Sequence, residues 1–523
     1  MKKGSFFPVT VVTIYIVVLS LAFLFSACGP DTTAPSIDTS TIPQTVFFND
    51  TGFSESFLFL GRATDNTNVE LVEISADNGS TWKTAVIDDD PPNKQFDVEW
   101  SYLASSAELA AGMYTVLVRA TDQSSNVAIS DPVILASQSG STIGSLLAVF
   151  ATASSGDVIG LSTGLGMAYG DSTTALTIPI NVDLTVQGSG YGSTVTSGGL
   201  IPLADPTATI LESDPATASL FSVDADLTLK NLRLLGADSA IRISGSSGSD
   251  PQLSVEECLF DRQAAWAVFA EDDDNVVNVE VVSSIVDASQ ADSAGGAGGF
   301  YLANVSYEIS GSDLYFQSTV GSGAGVLAVG STGTIDASIF EGNALGVWAS
   351  SGVANITSCD FSNIFAAAYT TNGINLTGGP GEALIRRNTI DGNSGYGLRV
   401  GGEMDLILRN NAITNNELSG VLIDSELDNP SLSNVDMGTS SDKGNNLFDG
   451  NEHPQGAGGQ DTQVFVTLAT SEGSTLIPAN WNYWGVPTRE QVNQVIIDGN
   501  DNGGRATLAI GSFWPSDGGE VGP

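Results

Sequence analysis

The sequence is short of positive charge. It carries 17 Lys and Arg against 60 Asp and Glu, with one His, for a formal net charge of −43. A field of that sign repels phosphate, so nucleic-acid binding is excluded as a function class. It also repels anionic lipid, so a hold on a membrane has to come from an anchor. The acidity reads first as a solvated surface, with salt adaptation or divalent-cation uptake as the sharper alternative. Cysteine is scarce: Cys28, Cys258 and Cys359. No CxxC pair, HExxH or Gly-x-x-x-x-Gly-Lys occurs, so the common zinc and phosphate-loop chemistries are missing. The single histidine, His453 in GNEHPQGAGG, limits any hydrolase triad to one built on it and reads as a solvated loop residue. Amphipathic helical periodicity is missing apart from a turn near Ile143 to Thr152.

The start of the chain is ordered by charge and hydropathy. Lys2 and Lys3 precede an apolar run from Val9 to Phe25, which leads into Leu24-Phe25-Ser26-Ala27-Cys28. The run falls short of the about 20 residues a membrane span needs. This order resembles a bacterial lipoprotein signal peptide, although Phe25 stands where that pattern usually has Leu. The resemblance implies a signal peptide over 1–27, a lipid on Cys28 and a tether over 28–34. The expected location is extracytoplasmic, lipid-anchored at an outer membrane or cell surface.

At 523 residues the chain exceeds one ordinary core, and two regions are expected. From 35 to 136, alternating segments such as Val69–Ile74 and Tyr114–Val118 are separated by polar turns. Asp77-Asn78-Gly79-Ser80 is a hairpin signal. GRATDNTNVELVEISADNGSTWKTA and AGMYTVLVRATDQSSNVA resemble bacterial Ig-like domains, which implies a β-sandwich spacer with Trp82 and Trp100 in its core. No cysteine is present there to form an inter-sheet disulfide.

From about Gly140 short strands repeat. Apolar pairs five residues apart form a ladder: Leu229/Leu234, Val255/Phe260, Val281/Val286, Ile309/Leu314, Ile335/Phe340, Ile356/Phe361, Ile385/Ile390 and Leu408/Ile413. Successive pairs are spaced by 26, 26, 28, 26, 21, 29 and 23 residues, one coil per repeat. The third residue after each first member is Leu232, Cys258, Ser284, Ser312, Ser338, Cys359, Asn388 and Asn411. Small polar residues recurring at one corner suit an inward turn whose side chains bond their counterparts one coil away. Coils lie about 4.8 Å apart, so Cys258 and Cys359, four coils apart, are separated by roughly 19 Å. A disulfide needs Cα atoms within about 7 Å, so two free, buried thiols are expected.

These repeats resemble the right-handed parallel β-helix, or pectate-lyase-like, superfold. SGDVIGL with LTIPINVDLTVQGSGYGSTV is similar to opening coils of bacterial surface β-helix proteins; RRNTIDGNSGYGLRV and RNNAITNNELSGVLI resemble central coils. NWNYWG resembles their closing motif, where Trp residues cap the core, and IIDGNDNGGRATLAIGSFWP resembles their tail. The resemblance implies a solenoid over 140–515, leaving 516–523 as a polar tail. The expected fold class is all-β: an N-terminal Ig-like β-sandwich, then a right-handed parallel β-helix.

Many such proteins cut polysaccharides, but no lyase-type Arg-x-Pro-x-x-Arg is present. Hydrolysis would need two carboxylates flanking the bond to be cut. Arg386, Arg387, Arg399 and Arg409 are the candidate glycan-binding cluster, with Arg386 and Arg409 expected on neighbouring coils. The plainer reading is charge pairing with Glu382, Glu403 and Asp405. Asp498, Asn500 and Asn502 match the opening of a calcium loop, although Ala509 stands where its closing Glu would fall. Glu271-Asp272-Asp273-Asp274-Asn275 is a second carboxylate-dense turn. The leading expectation is an anchored surface protein whose non-catalytic β-helix binds a polysaccharide or a surface protein, or serves structurally. The alternative is a lyase or hydrolase of acidic glycans on the Arg386/Arg409 wall.

Overall fold

The computed structural model describes residues 31–49, 55–88, 96–163, 173, 175–191, 208–245, 250–273, 277–287, 298–315, 323–364, 371–424, 435–452, 462–467, 476–498, 500–501 and 506–515. Cys28, the leader, His453, Asn502 and the tail over 516–523 lie outside these residues. The chain divides into two compact units: 1–42, 58–104 and 112–136 form one; 43–57, 105–111 and 137–523 form the other.

The first unit is antiparallel. Ser36–Asp38 pairs with Ser56–Thr64, and Val86–Asp88 with Asp97–Ser105. Val69–Ser75 pairs with Lys83–Thr84 and with Gly112–Asp122. Asn78 and Gly79 both have positive φ (57° and 81°), which is what a tight hairpin turn requires. Trp100 is buried with Val72, Val98 and Val118. Trp82 departs from expectation. It is half-buried beside the hairpin, with the Arg119 guanidinium 4.4 Å from its ring centre, so it covers an ion pair rather than filling the core.

The second unit is a solenoid with three walls, each of parallel strands. Wall A includes Ser239–Ser244, Trp266–Glu271, Gly298–Ala303, Ala324–Val329, Leu398–Val400 and Val421–Ile423. Wall B includes Leu227–Lys230, Gln252–Glu256, Asn278–Val282, Ser306–Ser310, Thr332–Asp336 and Met404–Arg409. Leu345–Thr357 and Ile374–Arg386 run unbroken through walls A and B. Wall C is a ten-stranded sheet running from Ile210–Ser213 to Leu447–Asp449. Parallel strands joined by crossovers of this kind wind right-handed.

The register follows the apolar ladder. Leu229, Val255, Val281, Ile309, Ile335, Ile356, Ile385 and Leu408 stack in wall B. Leu234, Phe260, Val286, Leu314, Phe340, Phe361, Ile390 and Ile413 stack in wall C. Between these walls each coil turns on a residue of positive φ, among them Asn231, Glu257, Ser283, Gly311, Ala337, Ser358, Arg387, Asn410 and Asn445. Left-handed backbone is unfavourable for most of these residues. The next residue, which turns inward, offsets it. The Cys258 N–H donates to Ser284 Oγ, Ser284 to Ser312 and Ser312 to Ser338, each at 3.2 Å. Cys359 donates to Asn388 Oδ1, and Asn388, Asn411, Asn446 and Asn482 continue the ladder. Both thiols are free and buried. Burial pushes each up to about 12, so neither is a nucleophile.

The ends are closed differently. Thr45–Asn49, inside the span expected for the first module, pairs in parallel with Asp157–Leu161 and extends the first coil. A helix, Ile143–Thr152, is capped by Thr142 and buries Leu146, Val149 and Phe150 against the same core. At the far end Trp484 is buried and stacks on Phe448, with ring centres 4.9 Å apart.

Candidate functional site

Alternation along wall A puts one row of side chains inward and the next outward. The inward row includes Ile241, Val268, Phe300, Val326, Val347, Ile374, Leu398 and Val421, all buried. The adjoining outward row runs Arg242, Phe269, Tyr301, Leu327, Trp348, Asn375, Arg399 and Leu422. Three aromatic residues thus stand on the outside of four successive coils, where a sheet face would ordinarily be polar.

The rings are arranged as a platform. Phe269 and Tyr301 are parallel, with centroids 4.6 Å apart and 7° between planes. Trp266 leans on Tyr301 at 5.6 Å. A glycine, Gly298, lies beneath the Trp266 ring because a Cβ there would collide with it. Arg242 covers the other side of Phe269, 4.4 Å from the ring centre. Trp348 Nε1 donates to Thr377 Oγ1 at 2.9 Å, so the indole's polar edge is satisfied within the wall. Phe269, Tyr301, Leu327 and Trp348 are each half-buried.

Two polar residues continue the row. Asn375 is only 6% exposed, and its Oδ1 has no hydrogen-bond partner. Buried acceptors are nearly always paired, and this one is covered within the wall beneath the outward row. Arg399 bonds Asp424 Oδ2 through Nε and Nη2 at 3.0 and 2.6 Å.

The four-arginine cluster does not assemble. Arg386 and Arg409 do stack on neighbouring coils of wall B. Arg387 is the exposed corner residue with φ 57°. Arg399, however, sits on wall A, across the coil from the other three. Arg409 is buried and bonds Asp436 and Asp442 at 2.8 Å each. Asp424 pairs with Arg399, and Asp436 and Asp442 pair with Arg409. Strand alternation, which decides the face each arginine takes, outweighs closeness in sequence.

The calcium-loop residues are partly seen. Asp498 is buried; its Oδ1 accepts the Asn500 N–H and its Oδ2 the Leu508 N–H, both at 2.8 Å. That carboxylate is occupied in closing a turn. Among the described residues the carboxylates near enough to share a cation are Asp31, Asp65 and Asp122, within 4.8 Å of one another in the first unit. In the second acidic turn Asp272 accepts the Val277 N–H.

Wall C differs in chemistry. Its outward positions carry Asp261, Asp287, Asp313, Glu341, Asp360, Asp391 and Asp449. Burial pushes Asp313 up, and burial followed by repulsion from Asp391 and Glu341 pushes Asp360 up. A fully buried Arg233 bonds Asp261 at 2.5 Å. The aromatic row and this carboxylate wall were both missed from sequence. The signal was present in the second apolar strand of each repeat, such as Gly346-Val347-Trp348, where alternation alone places Trp348 outward.

The family comparison agrees on the fold. Residues 298–453 match the family model described as right handed beta helix region. A comparison with curated proteins finds no match. Among solved structures, a periplasmic alginate epimerase, AlgG, is 11% identical over 67% of this chain and 79% of its own, with a TM-score of 0.31. A mutant form of the SrpA adhesin from Streptococcus sanguinis is 18% identical over 21% of this chain, with a TM-score of 0.15. The chain spans 60% of that adhesin chain's length.

Proposed function

We propose that this protein is an exported, lipid-anchored binding protein whose wall A holds an extended glycan. The observation that carries this reading is the outward Phe269–Tyr301 stack with Trp348 on the same row. Stacked coil on coil, these half-buried rings turn their edges outward as an apolar strip against which the C–H groups of a sugar can pack, along coils about 4.8 Å apart. Exposed aromatic surface of this kind marks an interaction site. The first unit, read as an Ig-like spacer, would lift the solenoid from a membrane that Cys28 holds through its lipid. Binding is favoured over turnover because Arg409, the best catalytic candidate on wall B, is already engaged by Asp436 and Asp442.

The test is glycan-array binding of the full chain beside its Tyr301→Ala and Trp348→Ala variants. Each substitution is expected to weaken binding about ten-fold, equivalent to about 1.4 kcal/mol, while thermal unfolding stays near the parent's. Wild-type binding undiminished in both variants would remove wall A as the site. Labelled palmitate incorporated by the parent but not by Cys28→Ser would support the anchor.

A further inference from the structure

Resting on the reading of wall A as a glycan site, we infer that its ligand is an uncharged glycan rather than a uronate polymer. The outward row holds two cations among the described residues, Arg242 and Arg399. Arg242 is a lone exposed cation over the Phe269 ring at one end of the row, and Arg399 is already bonded through two nitrogens to Asp424. Beside the platform, Glu271 is exposed on the Trp266 strand and is followed by Asp272 and Asp273. Wall C of the same coils carries seven outward carboxylates, and the chain as a whole has a net charge of −43.

A uronate chain brings one carboxylate per sugar. Laid along coils about 4.8 Å apart, it would place a negative charge near almost every coil, with no row of cations among the described residues to meet it. Such like-charge approach is unfavourable and also slows encounter. A neutral chain carries no such penalty. Its C–H faces can lie against the outward edges of Phe269 and Tyr301 and against Trp348. An apolar aromatic strip without a row of cations, and the surrounding carboxylates, thus select the same ligand class.

Calorimetric titration of the full chain tests this with named probes: cellohexaose, xylohexaose and mannohexaose against hexagalacturonate and hexamannuronate, each with and without millimolar calcium. At least one neutral hexasaccharide is expected to bind, about ten-fold weaker to Trp348→Ala, with an affinity that holds within about two-fold as salt is raised. The uronates are expected to give no heat. Uronate binding at least as tight as neutral binding, with or without calcium and lost in Trp348→Ala, would overturn the inference while leaving wall A a glycan site. Silence from all five probes would sink both. Circular dichroism of each variant separates lost binding from lost fold.

Discussion

The two units treat their carboxylates in opposite ways. Among the described residues of the first unit, every shifted carboxylate lies below its ordinary value. Asp77 is lowered to about 2, chiefly by the Thr81 N–H, and Asp31, Asp38 and Asp97 are lowered by Thr33, Ser40 and Arg62. In the solenoid Asp261, Asp313 and Asp360 are all raised, with burial the largest cause. The difference comes from architecture. Hairpin turns leave N–H groups free to reach an Asp side chain. A solenoid commits its N–H groups to the sheets and stacks each residue on its counterpart one coil away. Like on like is favourable for Asn, which both donates and accepts, and unfavourable for Asp, which only accepts.

The largest expected effect breaks the favourable half of this comparison. The Asn411 side chain accepts from the Asn388 N–H and Nδ2, and donates to Ile385 O, Arg409 O and Asn446 Oδ1. Asn411→Ala strands several buried groups and should cost about 3 kcal/mol or more, measured as a loss of urea-unfolding free energy. A loss below about 1 kcal/mol would mean the ladder is ornamental to stability. Ser312→Ala is the milder version. It removes one acceptor, for the Ser284 N–H, and one donor, to Ser310 O. About 1–2 kcal/mol is expected, and a cost equal to that of Asn411→Ala would erase the distinction between Ser and Asn rungs.

The smallest effect is in pH. A carboxylate with a raised folded value binds its proton more tightly in the native state, so its contribution is present in acid and lost as pH rises through that value. The solenoid should therefore gain stability as pH falls from neutral into the carboxylate range. The first unit should lose it, because its lowered carboxylates contribute above their unfolded values and fail as they protonate. Hydrogen exchange at pH 7, pH 5 and pH 3, read separately for the two units, checks the sign, because the first unit's loss begins only near the ordinary Asp value of 3.8. Asp360→Asn should flatten the solenoid's response, and an unchanged slope would assign it to other groups.

The solenoid was legible because its constraint is periodic. Each anchor must meet its counterpart in the next coil, so Leu229 to Leu408 could be set in register from spacing. The corner followed from the same count, and with it the isolation of Cys258 from Cys359. The hairpin at Asp77–Ser80 was legible from local chemistry. Trp82 was not, because its place depends on Arg119, a strand away in the fold.

Sequence by itself determined the coil register, the corner ladder and the two buried thiols, since a period in the chain becomes a stack in space. Tertiary structure alone decided what the outer walls present. It sent Arg399 to one wall and Arg386 and Arg409 to another, and it gathered Phe269, Tyr301 and Trp348 onto a single face. Inward residues answer to neighbours at a fixed interval along the chain. Outward residues answer to strand alternation and to turns of varying length, and those are settled only when the coils close.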